Sequence, residues 1–173
     1  MRSPDEERLT WRVPWPRLQV STYDELRKDF DETKYEAWLN GRTGFPMVDA
    51  CMRSLHHSGW LNFRMRCLLV SFASYQLWLD WRRLTPVMAR LFLDYEPGIH
   101  YPQFQMQAGT TGINATRIYS PAKQAEDHAG GDYEFIRRWV RVQRDHGCKA
   151  LALSDVITKC RFLSWSTCLA STW

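Results

Sequence analysis

Aromatic rings and arginines dominate the chemistry this sequence could perform. Nine Trp, eight Phe and seven Tyr are a heavy aromatic load for 173 residues. Most such rings fill a core, but rings also stack on bases or on a planar cofactor, and tryptophans pass single electrons. Arg64, Arg82, Arg83 and Arg90 crowd one region. Guanidinium groups there could neutralise phosphates or simply form a solvated helix face. A net charge of +4 permits a nucleic-acid partner without demanding one. The five cysteines, at 51, 67, 148, 160 and 168, make no C-x-x-C pair and no Cys/His set with zinc-finger spacing. They read as reduced thiols of a cytoplasmic protein with no metal site.

The elements that position these groups read as helices. GRTGFP (Gly41–Pro46) is a turn with Pro46 at a first helical position, and Met47, Val48, Cys51, Met52 and Leu55 follow at helical spacing up to a stop at Gly59. A second helix is expected over Asn62–Asp80, with Phe63, Arg66, Val70, Leu77 and Trp81 on one face. Thr85–Pro86 reads as the cap and first turn of a third. Residues 94–112, rich in Pro, Gly and Gln, read as a long structured loop. Asp132 is placed to cap a last helix carrying Phe135, Ile136 and Trp139. Val48, Met52, Leu55, Leu69, Phe72 and Leu77 are the expected core, and Trp38, Trp60 and Trp78 are also read as core. No segment alternates with strand period, so the fold class is all-α, a compact multi-helical array. Residues 1–34 read as an irregular N-terminal arm, 35–140 as the helical domain and 141–173 as a divergent tail. The longest apolar run, Cys67–Leu79, is interrupted by Ser71, Ser74 and Gln76 and is too short to span a bilayer.

Three segments, in order, carry a resemblance: WLNGRTGFPMVDACMRSLHHSGW (Trp38–Trp60), NFRMRCLLVSFASYQLWLDWR (Asn62–Arg82) and LDYEPGIHYPQFQMQAGTTGINATRIYSPAKQ (Leu93–Gln124), continuing into FIRRWV (Phe135–Val140). Together they resemble the FAD-binding helical domain of the DNA photolyase/cryptochrome family. The resemblance covers the flavin-binding half only. The family's N-terminal antenna domain has no counterpart in it, and that half would come from elsewhere in a longer chain or from a second chain. After Val140 the family continues Pro-Glu-Leu, whereas this chain reads Arg-Val-Gln.

The resemblance implies roles for particular residues. Arg66 and Asp94 match an ion pair beside the flavin ring, and removing one partner of a buried pair is expected to cost about 3–5 kcal/mol. Glu96 stands where the family has a second aspartate. His100 matches the position facing the flavin N5, and Phe63 a position near both flavin and lesion. Trp81 matches the middle member of the family's electron-relay tryptophans, with Phe104 at the proximal position and Lys28 near the distal one, so the usual relay is broken. Arg64 and Arg117 match positions near the lesion backbone. Met106 and Cys67 replace contacts to the flipped pyrimidines. The implied function is light-driven repair of pyrimidine dimers in damaged DNA by a deoxyribodipyrimidine photolyase. The alternative is a cryptochrome-like photosensory or inert module without repair. With part of the flavin cradle outside the matched segments, FAD is expected to be held substoichiometrically after purification.

Overall fold

The structure, a computed structural model, describes residues 30–111, 118–128 and 133–140. Among them every regular element is helical: α1 (Glu32–Leu39), α2 (Pro46–Ser58), α3 (Phe63–Ser71) running into a π-helical turn (Phe72–Gln76), α4 (Trp81–Leu91), α5 (Pro97–Gln107), α6 (Pro121–His128) and α7 (Glu134–Trp139). The all-α expectation holds. Helix α2 is the hub, packing against α1, α3, α6 and α7, while α5 packs on α3 and α4.

Local chemistry sets the helix ends. Asp31 accepts from Lys34 N, Asn62 from Met65 N and Asp80 from Arg82 N, each satisfying a first-turn N–H that has no partner within its helix. Pro46 opens α2 as expected. The preceding turn is fastened to α2 by the buried Asp49 carboxylate, which accepts from Thr43 N at 2.8 Å, from Thr43 Oγ1 at 2.6 Å and from Gly44 N at 3.1 Å. Gly59 ends α2 at φ +68°, and Leu93 N donates to its carbonyl at 3.0 Å. A Cβ on Gly59 would lie 2.6 Å from Leu93 Cγ. The left-handed cap and the close approach therefore both require glycine.

Several expected boundaries are corrected. The second helix stops at Ser71 rather than Asp80, passing into the π-helical turn and then Trp78 at φ +60°. The next helix starts at Trp81, capped by Asp80, so Thr85 and Pro86 lie inside it rather than at its start. Residues 97–107 are helix, not loop: Pro97 occupies the first turn, where a missing N–H costs nothing, Glu96 accepts from Gly98 N, and Pro102 is accommodated inside. Helix α1 begins at Glu32, inside the segment read as an irregular arm; the rest of that arm, Lys28 included, lies outside the described residues, as do the tail 141–173 and Asp132. Tyr133, at φ +56°, precedes α7.

The core is as expected: Val48, Met52, Leu55, Leu69, Phe72 and Leu77 belong to one buried cluster, with Trp38 fully enclosed. Trp60 and Trp78, read as core, are 58% and 46% exposed. Trp60 falls in the α2–α3 connection, and the left-handed backbone at Trp78 carries its ring outward. Of the cysteines, Cys51 and Cys67 are described; both are buried thiols outside any disulfide. No helix of the described residues is long and apolar enough to cross a membrane, and no group among them could hold a metal.

Candidate functional site: a cleft between α3 and α5

A cleft of about 160 Å³ opens where α3 and α5 face each other across the Phe92–Glu96 connection. Helix α3 contributes Phe63, Arg66, Cys67 and Val70. The α5 side contributes Glu96, Ile99, His100, Gln103, Phe104 and Gln107, which recur at the i, i+3, i+4, i+7, i+8, i+11 spacing of a single helix face. Phe92, Asp94 and Tyr95 close one end. The walls are mostly apolar, with a few convergent polar groups, which is the make-up of a site for a planar organic ligand.

Arg66 and Asp94 meet as expected, with Nη2 to Oδ2 at 2.8 Å. Their side chains are 24% and 50% exposed, so the pair sits at the rim rather than in the core. Arg66 is fixed twice more: Nε donates to Leu61 O at 2.7 Å, and the guanidinium lies 4.3 Å over the Phe92 ring. The hydrogen bond and the charge of Arg66 hold the Asp94 carboxyl below its ordinary pKa.

His100 is buried on α5, with Nε2 3.0 Å from Thr85 O. Four rings surround it: Phe104 at 4.4 Å, Tyr95 at 5.2 Å, Tyr101 at 5.7 Å and Phe92 at 6.0 Å between centroids. Burial, and then the Arg66 charge, lower its pKa against the opposing bond to Thr85. Gln103 adds a side-chain carbonyl oxygen, shut away from solvent, with no hydrogen-bond partner among the described residues. An unpaired polar atom of this kind costs about 1–3 kcal/mol, which a ligand donor would relieve.

The other expected site residues separate into groups. Phe63 (61% exposed), Cys67 (buried), Glu96 and Phe104 line the cleft with Arg66, Asp94 and His100. Arg64 is exposed on α3 and has no ion-pair partner among the described residues. Met106 is half-buried on α5 and does not line the cleft; Trp81 is buried at the start of α4, also away from it. Arg117 lies outside the described residues. Sequence reasoning missed Gln103, Gln107, Ile99 and Tyr95. For Gln103 and Gln107 the spacing from His100 was the available signal, visible only once the stretch is read as helix.

An apolar cleft in an array that is helical throughout the described residues, with a rim ion pair and a buried histidine, has the make-up of a domain that binds a planar organic ligand. The chain belongs to the family described as the FAD binding domain of DNA photolyase, whose match extends over residues 6–156. It is 34% identical over 141 residues to a deoxyribodipyrimidine photo-lyase of Thermus thermophilus, covering 76% of this chain and 32% of that protein. With the Streptomyces griseus enzyme of the same name it shares 38% identity over 138 residues, 79% of this chain and 28% of that one. An archaeal photolyase from Sulfolobus tokodaii, solved with two FAD molecules, superposes with a TM-score of 0.72 at 30% identity, over 86% of this chain and 33% of its own. A Synechocystis cryptochrome gives 0.61 at 27% identity, over 65% and 23%. The chain spans about a third of the length of the relatives it matches.

Proposed function

We propose that this chain is the flavin-facing part of a photolyase-type flavoprotein acting on pyrimidine dimers in damaged DNA. The cleft carries the proposal, because its residues fit FAD chemically. Phe63 and Phe104 give apolar faces for a flat ring, Arg66 and Asp94 a preformed donor and acceptor pair, and Glu96 and His100 further acceptors. FAD, when bound, supplies the light-driven single-electron chemistry of the family. The chain's own residues orient the ring and keep water from it. Arg66, already held by Leu61, Asp94 and Phe92, keeps a positive charge at the rim without reorganising. On the DNA side, Arg64 and Arg117 would meet backbone phosphates, with Cys67 and Met106 towards the flipped bases. A longer chain or a partner chain would supply the antenna half.

A second reading, a cryptochrome-like module without repair activity, is favoured by Phe104. This residue has the closest ring to His100 in the cleft, and phenylalanine is a poor carrier of single electrons, so Trp81 is left without a tryptophan beside the flavin. An absorbance spectrum of the purified protein tests the shared claim, since flavin bands are expected. Light-dependent repair of irradiated DNA by the same sample separates the two readings: repair supports the first, and bound flavin without repair supports the second.

A further inference from the structure

Gln103 lines the cleft from the middle of α5, with Ile99 and Gln107 one turn to either side of it on the same face. Among the described residues its Oε1 is enclosed without a hydrogen-bond partner, and no other side-chain oxygen lining the cleft shares that condition. The carboxylates of the cleft are placed differently. Asp94 and Glu96 are exposed, so water solvates them, and each already accepts a bond, Asp94 from Arg66 Nη2 and Glu96 from Gly98 N. A solvated acceptor loses little when a ligand brings it no donor. An enclosed acceptor keeps its whole desolvation cost until a donor arrives. Gln103 is therefore the group that tells one ligand from another by its hydrogen-bonding edge.

We propose that Gln103 reads the imide edge of the ring held in the cleft. Such an edge is a ring N–H between two carbonyls. A carboxamide is its complement, because it carries an acceptor oxygen and an N–H donor side by side in one plane. Oε1 accepts from the imide N–H, and the amide nitrogen donates to the neighbouring carbonyl. The inference rests on the flavin reading of the cleft and deepens it: Phe63 and Phe104 suit the faces of a flat ring, and Gln103 selects its edge. In the oxidised isoalloxazine the imide is the ring's N–H donor. Thymine carries the same edge, so a pyrimidine entering the cleft is a second source of the same chemistry. A ligand methylated at the imide nitrogen brings no donor and leaves Oε1 shut in unpaired, which corresponds to about tenfold in affinity.

The test is a titration of the full chain with FAD and with FAD methylated at the imide nitrogen, in wild type and Gln103→Met. Wild type is expected to bind FAD about tenfold more tightly than the methylated form. Methionine keeps the length and bulk of glutamine without its polar atoms. A penalty that came from crowding by the methyl group would persist in Gln103→Met, whereas one that came from the hydrogen bond disappears, and the variant is expected to bind the two forms alike. Unliganded Gln103→Met is expected to unfold at a midpoint no lower than wild type, since an unpaired enclosed oxygen is gone, which separates lost recognition from a damaged fold. A second arm titrates a short thymidine oligonucleotide into the FAD-saturated protein. Weaker binding by Gln103→Met in that arm alone assigns the edge to the pyrimidine, and in the FAD arm alone to the flavin. Saturable FAD binding with the same preference in both proteins, together with unchanged oligonucleotide binding, would overturn the proposal and leave the flavin reading intact. If FAD does not bind saturably, the flavin reading fails and the proposal fails with it.

Discussion

Arg66 is fixed by a backbone carbonyl, a carboxylate and an aromatic face before any ligand arrives. The positions of Arg66 and Asp94 were legible from the sequence through family resemblance, but the depth of the pair was not. Half of the Asp94 side chain is exposed, so solvent screens the pair, and the cost expected of a buried pair does not apply. Asp94→Asn should lower stability by about 0.5–1 kcal/mol, with a coupling energy to Arg66 of the same size in a double-mutant cycle read by denaturant unfolding. The pH dependence has a definite sign. Because the folded carboxyl titrates below its ordinary value of 3.8, the pair's contribution is complete above that value and is lost as pH falls through the lower folded value. His100 works the other way round from a paired histidine. Its folded pKa is depressed, so the unfolded chain binds the extra proton, and stability falls as pH drops below the ordinary 6.5. Thermal melts from neutral to mildly acid pH should show this loss in wild type and not in His100→Asn. An unchanged profile in the variant would mean that another group titrates.

Helix α2 was legible almost to the residue, because Pro46 and Gly59 are strong punctuation and Met47, Val48, Cys51, Met52 and Leu55 keep helical period between them. Helix α5 was not. Its sequence, PGIHYPQFQMQ, has two prolines, a glycine and three glutamines, and its buried positions include His100, Gln105 and Gln107 as well as Phe104, so polarity does not report which face is inside. The connection from α3 misled for a different reason. Phe72–Gln76 keeps the chain coiled with the wider π spacing, and the apolar run continues past the true helix end at Ser71. Two substitutions test the elements. Gly59→Ala should cost about 1–2 kcal/mol from the left-handed backbone alone, with the Leu93 clash adding to it. Phe72→Ala, at a fully buried ring packed edge-on to Phe45 at 4.9 Å, should cost about 3–5 kcal/mol. Chemical denaturation measures both. A Phe72→Ala protein with an unchanged unfolding midpoint would contradict the packing described here.

For the molecule as a whole, the fold class was plain from the absence of strand periodicity, and its family from three ordered segments. The wall of the cleft formed by α5 became readable only in three dimensions. Any DNA binding should be chiefly electrostatic, because Arg64 stands exposed on the helix that lines the cleft while Met106 offers no flat ring for stacking. Affinity for a short duplex should fall steeply with salt, and Arg64→Ala should reduce the slope of log affinity against log salt by about one, as fluorescence anisotropy would show. The most direct measurement of the central claim, that the α3–α5 cleft is a flavin site, is a titration of FAD into the purified full chain, comparing wild type with Arg66→Ala by flavin fluorescence. Saturable binding at one FAD per chain, weakened about tenfold or more by Arg66→Ala, is the expected result. No saturable binding, or equal binding by the two proteins, would contradict it.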